Sequence, residues 1–106
     1  MNPLSINYLE ENSIEHISQI FKALSDPTRI RILHLLFQQE CSVNEIVRHL
    51  DLTQSAISHQ LKYLRQLRLV KKRREKNMYF YSPDDEHVIK LLEQAIEHMK
   101  HTNKEE

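Results

Sequence analysis

Three histidines near the carboxyl end of the chain are the side chains best suited to chemistry. His87, His98 and His101 lie in the segment SPDDEHVIKLLEQAIEHMKH, residues 82–101. On a helix they fall within about 60° of one another, along one margin of an apolar stripe. Neutral imidazole is a common ligand of zinc and of similar transition metals. The pattern therefore indicates a metal site.

The spacing of these histidines limits how such a site can form. His87 and His98 are eleven residues apart, which is about 16 Å along a straight helix, whereas a zinc–nitrogen bond is only about 2 Å long. One copy of the helix cannot bring all three imidazoles to one ion. Two copies packed antiparallel bring the margin of one helix to the opposite end of the other. We therefore predict that a shared site lies between two chains.

The helix that carries them has a clear predicted start. Ser82 suits the N-cap, Pro83 suits the first helical position, and the acidic residues after them suit the positive end of the helix dipole. The spacing predicts a helix over residues 82–101, with an apolar stripe of Val88, Leu91, Leu92, Ala95, Ile96 and Met99.

Composition excludes several classes of protein. A chain of 106 residues with 28% charged and 40% hydrophobic residues is typical of one soluble globular domain. It has no apolar run of about 20 residues and no signal-peptide pattern, and its single cysteine, Cys41, suits a reducing cytoplasm. The absence of glycine excludes glycine-rich phosphate-binding loops and leaves Asn or Asp for left-handed turns. We expect a cytoplasmic protein that is not a nucleotide-dependent enzyme.

The charges are segregated although they sum to zero. Residues 62–76 contain eight Lys or Arg and one acid, whereas seven acids follow from Asp84 onward. A basic run of this kind is often only a solvated surface, but here it lies beside a helical pattern typical of DNA-binding domains. Nucleic acid is therefore the predicted partner.

The remaining elements alternate helical and strand periodicity. Helices are predicted to begin near residue 9 or 13 and end at 24, and then to span 27–38, 42–50 and 53–67, with a capping box at Ser42 and Glu45. Strands are predicted over 69–74 and 78–82, with Asn77 in the left-handed position of the turn between them. The ends, residues 1–8 and 102–106, are expected to be frayed.

This order predicts a mainly α (α+β) fold, a winged helix-turn-helix with about five helices and one β-hairpin wing, as a single domain over residues 1–106. In such a domain the start of the fourth helix meets base edges in the major groove, and basic residues around it contact phosphates. The predicted base contacts are Gln54, Ser55, Ser58 and His59. The predicted phosphate contacts are Lys62, Arg65, Lys71, Lys72, Arg73, Arg74 and Lys76.

Two segments carry a resemblance to a known family. ALSDPTRIRILHLL (residues 23–36) and LTQSAISHQLKYLRQLRLV (residues 52–70) resemble the ArsR/SmtB family of bacterial metal-sensing repressors. The likeness continues from about Ile17 through the hairpin and the final helix. It implies a homodimer joined by its first and last helices, which binds an inverted-repeat operator without metal and is loosened by metal.

The resemblance also implies a ligand set. The family's inter-subunit zinc site takes an Asp-x-His pair from the start of one final helix and a His-x-x-His pair from the end of the other. Here those pairs are Asp85 with His87 and His98 with His101, and the chain most resembles the CzrA-like zinc and cobalt sensors. One carboxylate and three imidazoles suit tetrahedral Zn(II), or Co(II), as the inducer. By resemblance, His98 reaches the backbone around Arg68, and the controlled genes encode metal efflux.

Two features are open to other interpretations. Asp85 lies three residues after Ser82, so it can complete a capping box instead of binding metal. The family's second, thiolate-rich site corresponds to Cys41-Ser42-Val43-Asn44, where no second cysteine follows. Cys41 is therefore interpreted as a small packed residue, and sensing of arsenic, cadmium or lead is not expected.

Other functions remain possible on the sequence alone. A nickel or cobalt sensor of the same family would need further ligands, which the Met1 amine and His16 could supply. A winged-helix dimer that senses no metal would leave the histidines incidental. A zinc enzyme would need an open coordination position and a general base, and Glu86 and Glu97 lie on the solvent side of the helix.

Overall fold

The computed structural model describes residues 5–104, with the side chains of residues 5–102. This part of the chain forms five helices and one antiparallel hairpin, as the sequence predicts. The elements are α1 (Glu11–Ala23), α2 (Pro27–Gln38), α3 (Val43–Leu50), α4 (Gln54–Gln66), β1 (Val70–Glu75), β2 (Met78–Pro83) and α5 (Glu86–Lys104).

Side-chain caps begin α2, α3 and α4. The Asp26 carboxylate accepts from a backbone N–H of α2 at 3.0 Å, and Thr53 does the same for α4 at 3.1 Å. At α3 the predicted capping box is complete, because Glu45 N–H donates to Ser42 Oγ at 3.2 Å and Ser42 N–H donates to Glu45 Oε1 at 2.9 Å. The hydrogen bond from the Ser42 N–H lowers the pKa of Glu45. These local bonds explain why the predicted starts of the three helices are confirmed.

The core lies where α2, α3 and α4 meet the hairpin. Cys41 adds to it, because its N–H and C=O pair with the backbone of Tyr81 at 3.1 Å and 2.7 Å. The buried apolar residues are Ala23, Ile32, Leu33, Leu36, Cys41, Ile46, Ile57, Leu61, Leu64, Leu69, Val70, Val88 and Leu92. The helix-turn-helix is therefore braced from behind by the apolar second helix.

The hairpin places an unexpected residue in the left-handed region. Glu75 pairs with Met78, so the loop consists of Lys76 and Asn77, and it is Lys76 that has a positive φ of 57°. The prediction that Asn77 takes this conformation is wrong. The turns that suit a two-residue hairpin require positive φ at the first loop position, so position in the loop outweighs residue preference.

Two further residues adopt positive φ. Asp51 ends α3 with φ 54°, and Arg68 follows α4 with φ 58°. The expectation that Asn or Asp would serve every left-handed turn holds at Asp51 and fails at Arg68 and Lys76. In this glycine-free chain two exposed basic residues with long side chains therefore adopt a backbone conformation that costs roughly 1 kcal/mol or more each.

The final helix begins later than predicted. Ser82 and Pro83 are the last residues of β2, opposite Lys71 and Val70, so the prediction of Ser82 as N-cap is wrong. The hairpin ladder extends over them, and a proline is tolerated at the end of an edge strand. The helix starts at Glu86 and continues to Lys104, three residues beyond the predicted end at His101.

The ends of the chain are only partly described. Residues 5–10 contain no helix or strand. Residues 1–4 and 105–106, which belong to the segments predicted to be frayed, lie outside the described residues, as does the Met1 amine. Among the described helices, none is long and apolar enough to cross a membrane.

A single copy leaves large apolar side chains uncovered on α1 and α5. On α1, Ile14, Ile17 and Phe21 are 45%, 39% and 59% exposed, and on α5 Leu91 and Met99 are 40% and 53% exposed. The radius of gyration is 16.9 Å, whereas a compact chain of this length has about 13 Å. The outer helices therefore project from the core and present apolar faces.

Candidate metal centre and nucleic-acid interface

The amino end of α5 brings Asp85 and His87 together. Asp85 Oδ1 accepts from the N–H of His87 at 2.8 Å and from the N–H of Val88 at 3.3 Å, so Asp85 is the N-cap of the helix. The same oxygen lies 3.3 Å from Nδ1 of His87. Asp85 thus lies just before the first turn, where its carboxylate is close to the imidazole of His87.

The cap also favours the charged form of Asp85. Desolvation raises its pKa, but the hydrogen bonds from His87 and Val88 outweigh that effect, and the net pKa is lowered. Both cap bonds and the contact with the imidazole use Oδ1. Within the described part of the chain, Oδ2 makes no hydrogen bond and is available to a cation.

His98 and His101 lie one turn apart near the other end of α5. Both are exposed, and they line a shallow crevice of about 360 Å³ with Gln94, Glu97 and Lys100. Within residues 5–104 of one chain, no three His, Cys, Asp or Glu side chains are close enough to hold an ion. The candidate ligands of one copy therefore form two separate pairs, Asp85 with His87 and His98 with His101, which we call the two candidate half-sites.

The side chains of the alternative sites lie elsewhere. Cys41 is fully buried, its Sγ lies 3.6 Å from Nε2 of Gln39, and burial raises the pKa of its thiol. This confirms that Cys41 is packed. His16 is exposed on α1 and lines a crevice with the end of α4 near Arg68. No hydrogen bond joins His98 to the Arg68 backbone within the described chain, so the relay suggested by resemblance stays a prediction.

The fourth helix has one buried side and one exposed side. Ile57, Leu61 and Leu64 are buried. All the predicted DNA contacts on this helix are exposed, namely Gln54, Ser55, Ser58, His59, Lys62 and Arg65. Gln54 also lines a cleft of about 250 Å³ that includes Asn44 at the start of α3 and Asn77 at the hairpin tip. The amino ends of α3 and α4 and the wing thus border one groove.

The basic residues of the wing are not equivalent. Lys71, Lys72, Arg73, Arg74 and Lys76 are all exposed. The guanidinium of Arg73, however, donates two hydrogen bonds to the Glu40 carboxylate, at 2.9 Å and 2.7 Å, and one to Glu75 at 2.8 Å. The bond from Arg73 lowers the pKa of Glu40. Arg73 therefore braces the wing against the α2–α3 connection, and its charge is already balanced.

A salt titration distinguishes these roles. Replacing Arg74 with methionine is expected to reduce the slope of log affinity against log salt by about one per subunit, because one phosphate contact is lost. Arg74 donates to the Lys76 carbonyl and makes no ion pair among the described residues. The charge-neutral double change Arg73→Met with Glu40→Gln is expected to leave the slope unchanged. A slope reduced equally by both would place Arg73 on a phosphate.

Arg29 contacts the fourth helix, and the sequence analysis did not predict this contact. Its Nε donates to Oε1 of Gln60 at 2.9 Å, and its guanidinium lies 4.2 Å from the ring centroid of Tyr63. Both partners belong to α4. The sequence identifies Arg29 as part of a helix start, but no local signal identifies partners more than 30 positions away.

Comparison with known proteins agrees with this geometry. A family model described as bacterial regulatory protein, arsR family, matches residues 26–72. The chain is 36% identical over 89 residues to the transcriptional repressor SmtB homolog of Synechocystis sp., covering 84% of this chain and 67% of that protein. It is 36% identical over 85 residues to the cadmium resistance regulatory protein CadC homolog of Staphylococcus aureus, covering 79% and 70%.

A transcriptional activator and a solved structure are also similar to this chain. The transcriptional activator HlyU of Vibrio cholerae is 34% identical over 91 residues, covering 86% of this chain and 83% of that protein. The crystal structure of Mycobacterium tuberculosis Rv0081 superposes with a TM-score of 0.82 at 32% identity, covering 91% of this chain and 97% of that one. The chain belongs to the ArsR family of bacterial transcriptional regulators and is not an enzyme.

Proposed function

We propose that this regulator binds operator DNA as a metal-free homodimer and is released when Zn(II), or Co(II), binds between the two α5 helices. The observation that carries the proposal is the pairing of donors at the two ends of α5. Asp85 and His87 are adjacent at one end, and His98 and His101 line one crevice near the other. Each half-site supplies two of the four ligands that tetrahedral zinc takes.

The donor set fits such an ion. Oδ2 of Asp85 can bind a cation while Oδ1 remains the helix cap, so the capping and ligand interpretations of Asp85 are compatible. Three imidazoles and a carboxylate suit zinc or cobalt rather than a thiolate-seeking ion. The CadC homolog is named for cadmium resistance, but the one cysteine of this chain is buried.

The homodimer is supported by the uncovered apolar faces. Ile14, Ile17 and Phe21 on α1 and Leu91 and Met99 on α5 are all more than a third exposed, and burying them against a second copy is favourable at about 25 cal/mol per Å². A two-fold axis between antiparallel α5 helices brings Asp85 and His87 of one copy to His98 and His101 of the other. The dimer then holds two equivalent sites.

DNA binding is supported by the exposed start of α4 and by the uncompensated basic residues of the wing. In a two-fold dimer the two α4 helices are the recognition helices, and they contact the two halves of the DNA operator, about one helical turn of DNA apart. Bound metal supplies a link that ties one subunit to the other. If the linked arrangement does not match the operator, DNA affinity falls, and DNA weakens metal binding by the same factor. We infer that the regulator acts in the bacterial cytoplasm. The genes that it controls would encode proteins of metal efflux.

A titration tests the proposal. The protein is bound to a fluorescent duplex selected from a random pool, and zinc or cobalt is added while anisotropy is followed. Release at about one metal per subunit supports the proposal, and a cobalt spectrum typical of tetrahedral coordination supports the four-ligand set. An octahedral cobalt spectrum would favour the nickel or cobalt sensor with additional ligands. Unchanged DNA affinity with either metal would favour a regulator that senses no metal.

The role of Asp85 has its own prediction. Asparagine is as good an N-cap as aspartate but a poor zinc ligand, so Asp85→Asn is expected to keep the thermal stability of the apo-protein and to weaken zinc binding at least about tenfold. Asp85→Ala serves as the control, because it removes cap and ligand together and should also lower the Tm. Calorimetric titration and thermal melting measure the two effects. Wild-type zinc affinity in Asp85→Asn would show that Asp85 is a cap alone.

A further inference from the structure

The guanidinium of Arg29 joins three helices. Its Nε donates to Oε1 of Gln60 at 2.9 Å, its plane lies 4.2 Å from the centroid of the Tyr63 ring, and its Nη1 donates to the carbonyl of Ala23 at 3.4 Å. Ala23 is the last residue of α1, Arg29 lies in the first turn of α2, and Gln60 and Tyr63 are in the middle of α4. One side chain therefore connects the end of α1 to the recognition helix.

These contacts are directional, unlike the rest of the packing of α4. Ile57, Leu61 and Leu64 bury apolar surface, and such contacts depend little on orientation. Hydrogen bonds weaken steeply when the donor angle falls, and the guanidinium presents its donors in a fixed plane. The bond to Gln60 and the stack on Tyr63, one turn apart, resist rotation of α4 about its own axis.

We infer that Arg29 is a positioning residue that fixes the rotation of the recognition helix relative to α1. Ser58 and His59 are both exposed, and on a helix they point about 160° and about 100° away from Gln60. A rotation of about 20° moves a side chain that extends 6 Å from the axis by about 2 Å, which is enough to break a bidentate contact with a base. This inference rests on the proposed function in one respect only, that α4 reads DNA.

The contact of Arg29 with the end of α1 also has a physical reason. The carbonyl of Ala23 is one of the last carbonyls of α1, which have no hydrogen-bond partner within the helix. They lie at the negative end of the helix dipole, where a cation such as the Arg29 guanidinium is favoured. The exposed apolar face of α1 is part of the proposed dimer surface. Arg29 therefore joins the end of α1 directly to the recognition helix.

The alternative is that Arg29 contacts a phosphate directly, and the salt dependence of binding separates the two roles. Loss of a phosphate contact reduces the salt slope by about one per subunit and weakens specific and non-specific binding alike. Loss of a positioning contact weakens specific binding and leaves the slope and non-specific binding unchanged. Gln60 provides an independent probe because it is uncharged.

The experiment compares Arg29→Met, Gln60→Met and the double variant with wild type, all in the presence of a chelator. Anisotropy is measured on the selected operator duplex and on a random duplex at several salt concentrations. Each single change is expected to lower specific affinity about tenfold at constant salt slope. The double variant should be no weaker than Arg29→Met, because both changes remove one interaction. Gln60→Glu, which offers Arg29 a charged acceptor, should retain wild-type affinity.

Gln66→Met is the matched control, since Gln66 is exposed in the last turn of the same helix, and it should bind as wild type does. Melting curves identify any variant that fails to fold, and Gln60→Glu then decides the question. Three results would overturn the inference. They are operator affinities equal to wild type in all variants, additive losses of affinity in the double variant, and a salt slope that is reduced only in Arg29→Met. A wild-type protein that binds the operator but ignores zinc would contradict the proposed metal response and would leave this test unaffected.

Discussion

Replacing His98 with asparagine is expected to leave metal-free operator binding at its wild-type level and to abolish the release of DNA by zinc. His98 is exposed on α5 and is not among the predicted DNA contacts, so its replacement should remove no DNA contact and no core contact. Asparagine removes one of the four proposed zinc ligands. Loss of a partner that merely supports a ligand already costs about 10- to 100-fold in metal affinity, so loss of the ligand itself should cost at least about 100-fold.

The size of the zinc effect on DNA affinity depends on the coupling free energy between zinc binding and DNA binding. Coupling free energies between two sites lie at about 1–3 kcal/mol, so zinc should weaken wild-type operator affinity by roughly 5- to 150-fold. In His98→Asn the ratio of affinities with and without zinc should approach one. Anisotropy on the operator, with zinc buffered at several free concentrations, measures this ratio directly.

His16→Asn is the matched control for this experiment. His16 is also exposed, but it lies on α1 beside the end of α4, away from both half-sites. It should retain the full zinc response, whereas a nickel or cobalt sensor that uses His16 would lose part of it. A His98→Asn protein that zinc still releases would contradict the assignment of the site.

Replacing Gln54 and Ser55 together with alanine is expected to abolish preference for the operator over random DNA. Both side chains are exposed in the first turn of α4, where they meet base edges in the proposed complex. A bidentate base contact is worth about 1–3 kcal/mol, so loss of the Gln54 contact alone should reduce specific affinity roughly 5- to 150-fold, and loss of Ser55 should reduce it further. Non-specific affinity should be unchanged, because the lysines and arginines that meet phosphates remain.

The same double variant separates the two proposed sites. Zinc stoichiometry should remain at its wild-type value, because the proposed ligands lie on α5 and at its N-cap. Gln66→Ala, at the exposed far end of α4, should bind the operator normally and controls for loss of a glutamine. Equal loss of specific and non-specific binding would show that this turn contacts phosphates rather than bases.

Local features of the fold could be predicted because their causes lie within a few residues. The start of α2 at Pro27 follows from the Asp26 cap, and the start of α3 follows from the reciprocal bonds of Ser42 and Glu45. The exposed and buried sides of α4 follow from helical periodicity alone. The prediction that a metal site would need two chains also follows from a local quantity, the rise of a helix, and it stays a prediction.

The errors occurred where two local preferences competed. Ser82 and Pro83 suit a helix start, but they also continue the strand that pairs with Lys71 and Val70, and the ladder prevails. Asn77 tolerates positive φ best, but the first position of the loop requires it, and Lys76 occupies that position. Sequence pattern ranks neither preference above the other.

The sequence by itself determined the winged helix-turn-helix order, the surface of α4 that faces outward and the donor types on α5. Only the tertiary structure decided which charges remain available and which are used internally. Arg73 resembles its neighbours in sequence, yet Glu40, 33 positions away, balances its charge. Arg29 binds Gln60 across 31 positions. Caps and periodicity act over a few residues, whereas such pairs exist only after packing brings distant helices and strands together.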